Sequence, residues 1–325
     1  MQLNLTESKS NFRVIDISEM FSFTNQVYLG TYVLILILEI CCAIINGLLI
    51  GMFYKLPTLR AKNLTLVYYL SVGDFITAIT EAPYIIYMIK NWNPTLLDFD
   101  PLFIMIASIP LPIHLKISAT ITVGIALSRN IAIYFPATFR QINQTTYSSF
   151  TTIIGAILGV FDVILLFILS PIVRVPNCAT SGCFVGHCFL YYWGISNMIL
   201  GFLVFILSIT LFFKIKSVRK HSTGSMQNRK KYNQANRIST GILTTSMFFL
   251  TVPSFCVGFL ELIGFSVFRL VGPFYSAALM ATGICNGIIF ICFNTELRGM
   301  LTKGRKKWAP PVSAWSVVKS NKLTT

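Results

Sequence analysis

Seven apolar stretches joined by short polar connections leave this chain very few folds. They lie roughly at residues 28–53, 65–89, 102–134, 148–172, 190–213, 238–262 and 269–293. Each is near or beyond the ~20 residues that cross the hydrocarbon of a bilayer. Hydrocarbon offers no partner to a backbone amide, so each stretch must satisfy its own hydrogen bonds as a helix. A barrel would show short alternating strands instead. The expected fold is therefore all-α, a seven-transmembrane helix bundle. Composition agrees: of 325 residues, 54% are hydrophobic and only 11% charged, with a mean hydropathy of +0.71. A soluble chain carries roughly 25% charged residues, so this one has too few to coat a water-facing surface. Its net charge of +15 does not point to nucleic acid, because the bases sit beside the spans rather than along one face.

The bases set the orientation. Twenty of the 26 Lys and Arg residues fall near the connections after spans one, three and five or in the tail. Five fall on the opposite side, and Lys116 lies inside span three. Positive flanks stay in the cytoplasm, which puts the N-terminus outside and the C-terminus inside. The expected organisation is an extracellular N-terminal segment over 1–27, the seven-span domain over 28–293, and a cytoplasmic amphipathic segment with a basic tail over 294–325. Met1 to Gln26 is polar and mixed, so no cleavable leader is expected. Asn4-Leu5-Thr6 is a glycosylation sequon on the outer side. Asn143-Gln144-Thr145 fits the same pattern but lies inside and should stay bare.

Span three is too long for one upright helix. Its 33 positions from Leu102 to Tyr134 would reach ~50 Å against a ~30 Å core. It must tilt, protrude or bend, and Pro110 and Pro112 each remove a backbone donor where it could do so. The stretch Ile117 to Pro136 is apolar or small until Arg129. A guanidinium is not tolerated unpaired in hydrocarbon, so Arg129 marks the water-facing end of this helix.

Polar residues at membrane depth are costly and usually face the bundle interior. Asn46, Asp74 and Asn286 lie in spans one, two and seven; Glu39, Glu81, His114, Lys116 and Asp162 are also buried in sequence terms. Lys116 stands 13 residues before Arg129, ~20 Å along a helix, too deep for easy snorkelling. It either pairs with an internal carboxylate, Glu81 or Asp162, or meets an acidic ligand. A pocket should open from the outer half of the bundle between spans two, three, five, six and seven. Its candidate ligand-binding residues are Lys116, His114, Glu81, Leu111, Tyr84, Phe255, Phe259 and Tyr275.

Several of these segments resemble rhodopsin-like receptors. There the third helix ends in an acidic-Arg-Tyr triplet followed by Ala-Ile and proline; here it reads Ser128-Arg129-Asn130, then Ile131, Ala132, Tyr134 and Pro136. Asn46-Gly47, Leu70-Ser71-Val72-Gly73-Asp74 and Asn286-Gly287-Ile288-Ile289-Phe290 match the helix one, two and seven patterns, with glycine and phenylalanine replacing the proline and tyrosine of the last. Span six keeps Pro253 but has Thr251 where tryptophan is usual. This erosion narrows the resemblance. NCATSGCFVGHCFLYYW from Asn177 to Trp193, RNIAIYFP from Arg129 to Pro136, and Ala235-Asn236-Arg237 resemble nematode serpentine chemoreceptors, closest to serpentine receptor class BC.

The resemblance implies a G-protein-coupled odorant or tastant receptor in the plasma membrane, on the cilia of sensory neurons. Its partners would be a small-molecule ligand, a heterotrimeric G protein and the lipid bilayer, with no cofactor and no metal. Arg129 and Tyr134 would couple to the inner partner as spans three and six part. Asn46, Asp74 and Asn286 would form a polar switch cluster that repacks on activation. Leu111 stands where amine receptors place a carboxylate, which argues against a monoamine. Rhodopsin-like receptors tie the loop after span four to a cysteine at the outer end of helix three, and Asp98 to Ile113 has none. Cys178, Cys183 and Cys188 must then pair within the loop, leaving one over.

An intramembrane enzyme would need a nucleophile–base pair or metal ligands in its spans, and none is arranged so. The alternative class is a ligand-gated channel or small-molecule transporter of the plasma membrane. A transporter more often carries internal repeats, which this chain lacks. The charge bias makes a direct prediction: an epitope tag at the N-terminus should be reached by antibody on unpermeabilised cells, and staining only after permeabilisation would reverse the orientation.

Overall fold

The computed structural model describes residues 4–56, 64–221, 226–264, 274–295 and 297–298, with side chains described from Asn25 onward except for 216–233 and 274. Arg60, Lys62, Arg269 and the tail beyond Arg298 lie outside the described residues, as do the side chain of Asn4 and most side chains of the basic third connection. The described chain is all helical, with no strand among the described residues. Seven helices are long and apolar enough to cross a membrane: Asn25–Lys55, Thr65–Lys90, Pro101–Tyr134, Gln144–Leu169, His187–Ile215, Gln234–Leu262 and Tyr275–Phe293. They are spans one to seven below.

Spans one and two, three and four, five and six, and one and seven pack in pairs. Span three stands in the middle, touching spans two, four, five and six. The bundle is turned inside out relative to a soluble one. Along span one, Ile37, Ile40, Ile44 and Leu48 face outward while Ile35, Glu39, Cys42, Asn46 and Leu49 are buried. Spacings of three and four place each set on one face, and the outward face is the more oily because its solvent is lipid.

Span three bends as its length requires. It is built from Pro101–Ala107 and Pro110–Tyr134. Asp100 caps the first piece by accepting from the Leu102 and Phe103 amides, and Pro110 begins the second, where its missing donor costs nothing. Span four starts earlier than its hydropathy suggested, at Gln144, because the Asn143 side chain accepts from the Thr145 and Thr146 amides and caps it. It also stops earlier, at Leu169 rather than 172, since Pro171 forces Ser170 into extended backbone. Span one continues backward as helix to Asn4, through the segment expected to be a separate polar region. Span six contains a π turn, Met247–Thr251, just before Pro253, where the Val252 amide reaches back to the Met247 carbonyl. The extra residue re-registers the helix ahead of a proline that has no donor to give.

Two apolar cores fill the ends. One contains Tyr32, Tyr84, Phe184 and Trp193, beside the connection that follows span four. The other contains Leu49, Phe53, Ile121, Ile242 and Phe290. Phe290 stacks on Phe53 with centroids 5.2 Å apart. We refer to these as the loop end and the Arg129 end. Spans three and four meet through Gly155 and Gly159, four residues apart, the spacing that lets two membrane helices approach closely. A Cβ at Gly159 would lie 2.8 Å from the Ile113 Cα, and one at Gly155 2.8 Å from the Ile117 Cα. Both obstacles are backbone, so Gly159→Leu must push the helices apart. We predict a cost of about 1–3 kcal/mol, read as a lower Tm of the purified protein; an unchanged Tm would show that these helices are not packed here.

Candidate functional site

The connection between spans four and five forms a lid. Cys178 and Cys183 are disulfide-bonded, and Cys188 is free and exposed. Asn177 adopts φ 59°, a left-handed conformation that asparagine tolerates. Its amide donates to the Leu97 carbonyl (2.7 Å), and the Leu97 amide donates to its side chain (3.3 Å). The Tyr32 hydroxyl donates to the Ala179 carbonyl (2.7 Å), the Ser181 amide donates to the Tyr84 hydroxyl (3.2 Å), and the Gly186 amide donates to Ser170 Oγ (2.9 Å). Five contacts, to span one, span two, the connection after span two and the end of span four, thus pin a stretch of about ten residues.

Beneath the lid is a cavity of about 60 Å³, walled by Tyr84, Leu111, Leu166, Trp193, Tyr275 and Ser276 and roofed by Thr180, Ser181 and Gly182. Of the residues expected to contact a ligand, Tyr84, Leu111 and Tyr275 line it. The other five do not. Phe255 and Phe259 are 49% and 53% exposed; four residues apart, they share the outward face of span six, opposite buried Ser254, Val257, Gly258 and Glu261. Glu81 lies behind the wall, bonded by the Ser276 hydroxyl. His114 and Lys116 turn away toward other carboxylates.

Lys116 is 1% exposed, and its ammonium donates to Ser196 Oγ (2.6 Å) and Asn197 Oδ1 (2.7 Å) while lying 3.4 Å from Asp162 Oδ2. The Tyr192 hydroxyl donates to Asp162 Oδ1 (2.9 Å). Of the two internal carboxylates, Asp162 is the partner. Two hydrogen bonds to span five and an ion pair to span four make Lys116 a cross-brace of three helices.

Nearer the centre, His114 Nε2 lies 2.8 Å from Asp74 Oδ1. Asp74 packs against Gly283, whose added Cβ would come within 2.9 Å of Asp74 Cγ and Cys42 Sγ. Asn46 donates to the Cys42 carbonyl (3.1 Å) and the Gly283 carbonyl (3.4 Å). Asn46 and Asp74 thus both lie against Gly283 of span seven, and Asn286 is buried one turn beyond it. Oxygens of Asn46 and Asp74, and both polar atoms of Asn286, are buried without a protein partner. Such atoms are expensive in a dry interior.

At the far end, Arg129 Nε donates to Ser239 Oγ of span six (2.9 Å). Arg237 lies 4.6 Å over the Phe293 ring, and Thr295 donates to the Gln234 side chain (3.0 Å). Span six is thus tied to spans three and seven. Asn130 donates to the Leu207 carbonyl and accepts from Thr210, holding span three to span five. Tyr134 is exposed, with the Lys214 ammonium 5.0 Å over its ring.

The fold and this arrangement define a multi-pass membrane receptor: a lidded cavity at one end, a tethered helix pair at the other, and a polar layer between. The chain belongs to the serpentine type 7TM GPCR chemoreceptor Srbc family, whose family model matches residues 23–293. None of the curated proteins matches the chain.

Sequence reasoning missed the His114–Asp74 pair, Ser239 as the partner of Arg129, and Ser276 as the link to Glu81. All are contacts across helices, for which a single sequence offers no spacing rule. The brace yields a double-mutant prediction. Lys116→Met alone leaves Asp162 buried without its counter-charge and should cost about 3–5 kcal/mol, whereas Lys116→Met with Asp162→Leu should recover most of it. Thermal unfolding of both proteins measures this; equal losses in single and double variants would mean the pair is not coupled.

Proposed function

We propose that this protein is a G-protein-coupled chemosensory receptor of the plasma membrane, with its loop end outside and its Arg129 end in the cytoplasm. A small molecule occupies the cavity under the disulfide lid. Its binding repacks the Asn46–Asp74–Asn286 layer and frees span six from span three, opening a cytoplasmic cleft for a heterotrimeric G protein. The sensory cilium is the expected site of action for a receptor of this family. The single observation that carries the reading is the Arg129–Ser239 hydrogen bond, which joins the two helices whose separation the mechanism requires. The basic flanks support the orientation, since 20 of 26 cations lie on the Arg129 side. Attraction of these bases to anionic lipid contributes ~1 kcal/mol each, which positions the bundle but does not signal.

The tether and the partner contact are separable. Arg129→Ala should reach the surface normally yet lose ligand-evoked nucleotide exchange. Ser239→Ala removes only the tether and should raise ligand-independent exchange. An unchanged response in both variants removes Arg129 from the mechanism, and ligand-evoked current without nucleotide exchange would make the protein a channel.

A further inference from the structure

The cavity under the lid has a definite chemistry, and it differs from the ionic one suggested by Lys116. Among the described residues, no charged side chain lines it. The Lys116 ammonium is engaged by Ser196, Asn197 and Asp162, and His114 by Asp74. An ionised ligand would meet no counter-charge among the described wall residues, and a charge buried unpaired costs several kcal/mol. The walls are mainly Leu111, Leu166 and the aromatic faces of Trp193 and Tyr275.

Size is equally restrictive. The cavity measures about 60 Å³. Cavities for drug-sized ligands run to several hundred Å³.

Two hydroxyls in the wall have committed protons. Ser276 donates to Glu81 Oε1 and Ser108 donates to the Met105 carbonyl. Their oxygens keep lone pairs and so can only accept. Tyr84 accepts from the Ser181 amide, which leaves its own proton free to be donated. A hydroxyl is the group that both gives a proton to such an oxygen and receives one from a phenol.

We propose that the cavity takes a small uncharged alcohol, and that Ser276, held by Glu81, is the specificity-determining residue that accepts the alcohol's proton. This rests on the cavity being the ligand site of the receptor proposed above. Ser276 is buried, lines the cavity and belongs to span seven, while Glu81 belongs to span two. Ligand recognition is thereby placed on the two helices that also carry Asn286 and Asp74.

The test uses the full-length receptor in lipid nanodiscs, with Trp193 fluorescence as the binding signal and Trp193→Phe as the background. The probes are n-butanol, methyl ethyl ketone, n-pentane, butyrate and butylammonium. n-Butanol should bind saturably, with the ketone, which can still accept, roughly fivefold to tenfold weaker, as the loss of one hydrogen bond implies, the alkane, which loses both, weaker still, and the two ions undetected. Ser276→Ala should lower n-butanol to the level of the ketone and leave the other probes unchanged; Ser276→Thr, which keeps the hydroxyl, should restore the preference. Tighter binding of either ion, an alcohol-to-ketone ratio unaffected by Ser276→Ala, or no saturable signal from any probe would each overturn the assignment. Saturable n-butanol binding without nucleotide exchange would refute the receptor reading and leave the cavity chemistry standing. Exchange evoked only by ions would do the reverse.

Discussion

A lysine ammonium that can reach neither surface of a bilayer must find its counter-charge within the protein. The Lys116–Asp162 contact meets that requirement, and much of the bundle is arranged about it. The contact fixes span three against spans four and five, and Gly155 and Gly159 let the first of those approach closely enough. Removing both charges in favour of apolar residues is often neutral, while removing one is severe. The pair therefore constrains where helices sit more than it adds net stability. It also keeps Lys116 out of the cavity and so leaves that cavity neutral.

The same physics explains the distribution of every other polar group. Lipid accepts Ile37, Ile44 and Leu48 on the outward face of span one, and Glu39 and Asn46 are sequestered on the inward face. The polar residues stack as a column. Glu81 and Ser276 stand beside the cavity, Asp74, His114 and Asn46 form the layer below, and Asn286 follows one turn on. Apolar side chains such as Cys42, Ala78 and Met280 lie between these layers. A column with some satisfied and some unsatisfied members has more than one arrangement within reach. Rigid close packing converts a small change at one level into a discrete change at another.

Much of this was legible in the sequence, because the bilayer imposes simple rules. The seven spans, the need of span three to tilt, protrude or bend, the need of Lys116 for an internal carboxylate or an acidic ligand, and the special position of Arg129 all follow from the dimensions and polarity of the bilayer. Capping moved the ends of span four: Asn143 began it early and Pro171 ended it early. Such local signals are invisible to hydropathy. The pocket was the least legible part. Phe255 and Phe259 look like pocket residues by type, yet the rotation of span six points them at lipid. His114 sits near the expected cavity by depth, yet Asp74 on the neighbouring helix claims it. Helix rotation and pairing across helices are set by three-dimensional packing, and one sequence without its relatives carries no direct record of either.

The account's central claim is that filling the cavity under the lid separates spans three and six at the opposite end. The most direct measurement is the distance between spin labels at Phe135 and Ala235, placed after the exposed free cysteines Cys188, Cys256 and Cys292 are replaced. With n-butanol saturating the Trp193 signal, the account predicts a second, longer distance population that disappears when the alcohol is removed. A distance distribution unchanged while the cavity is filled would contradict it.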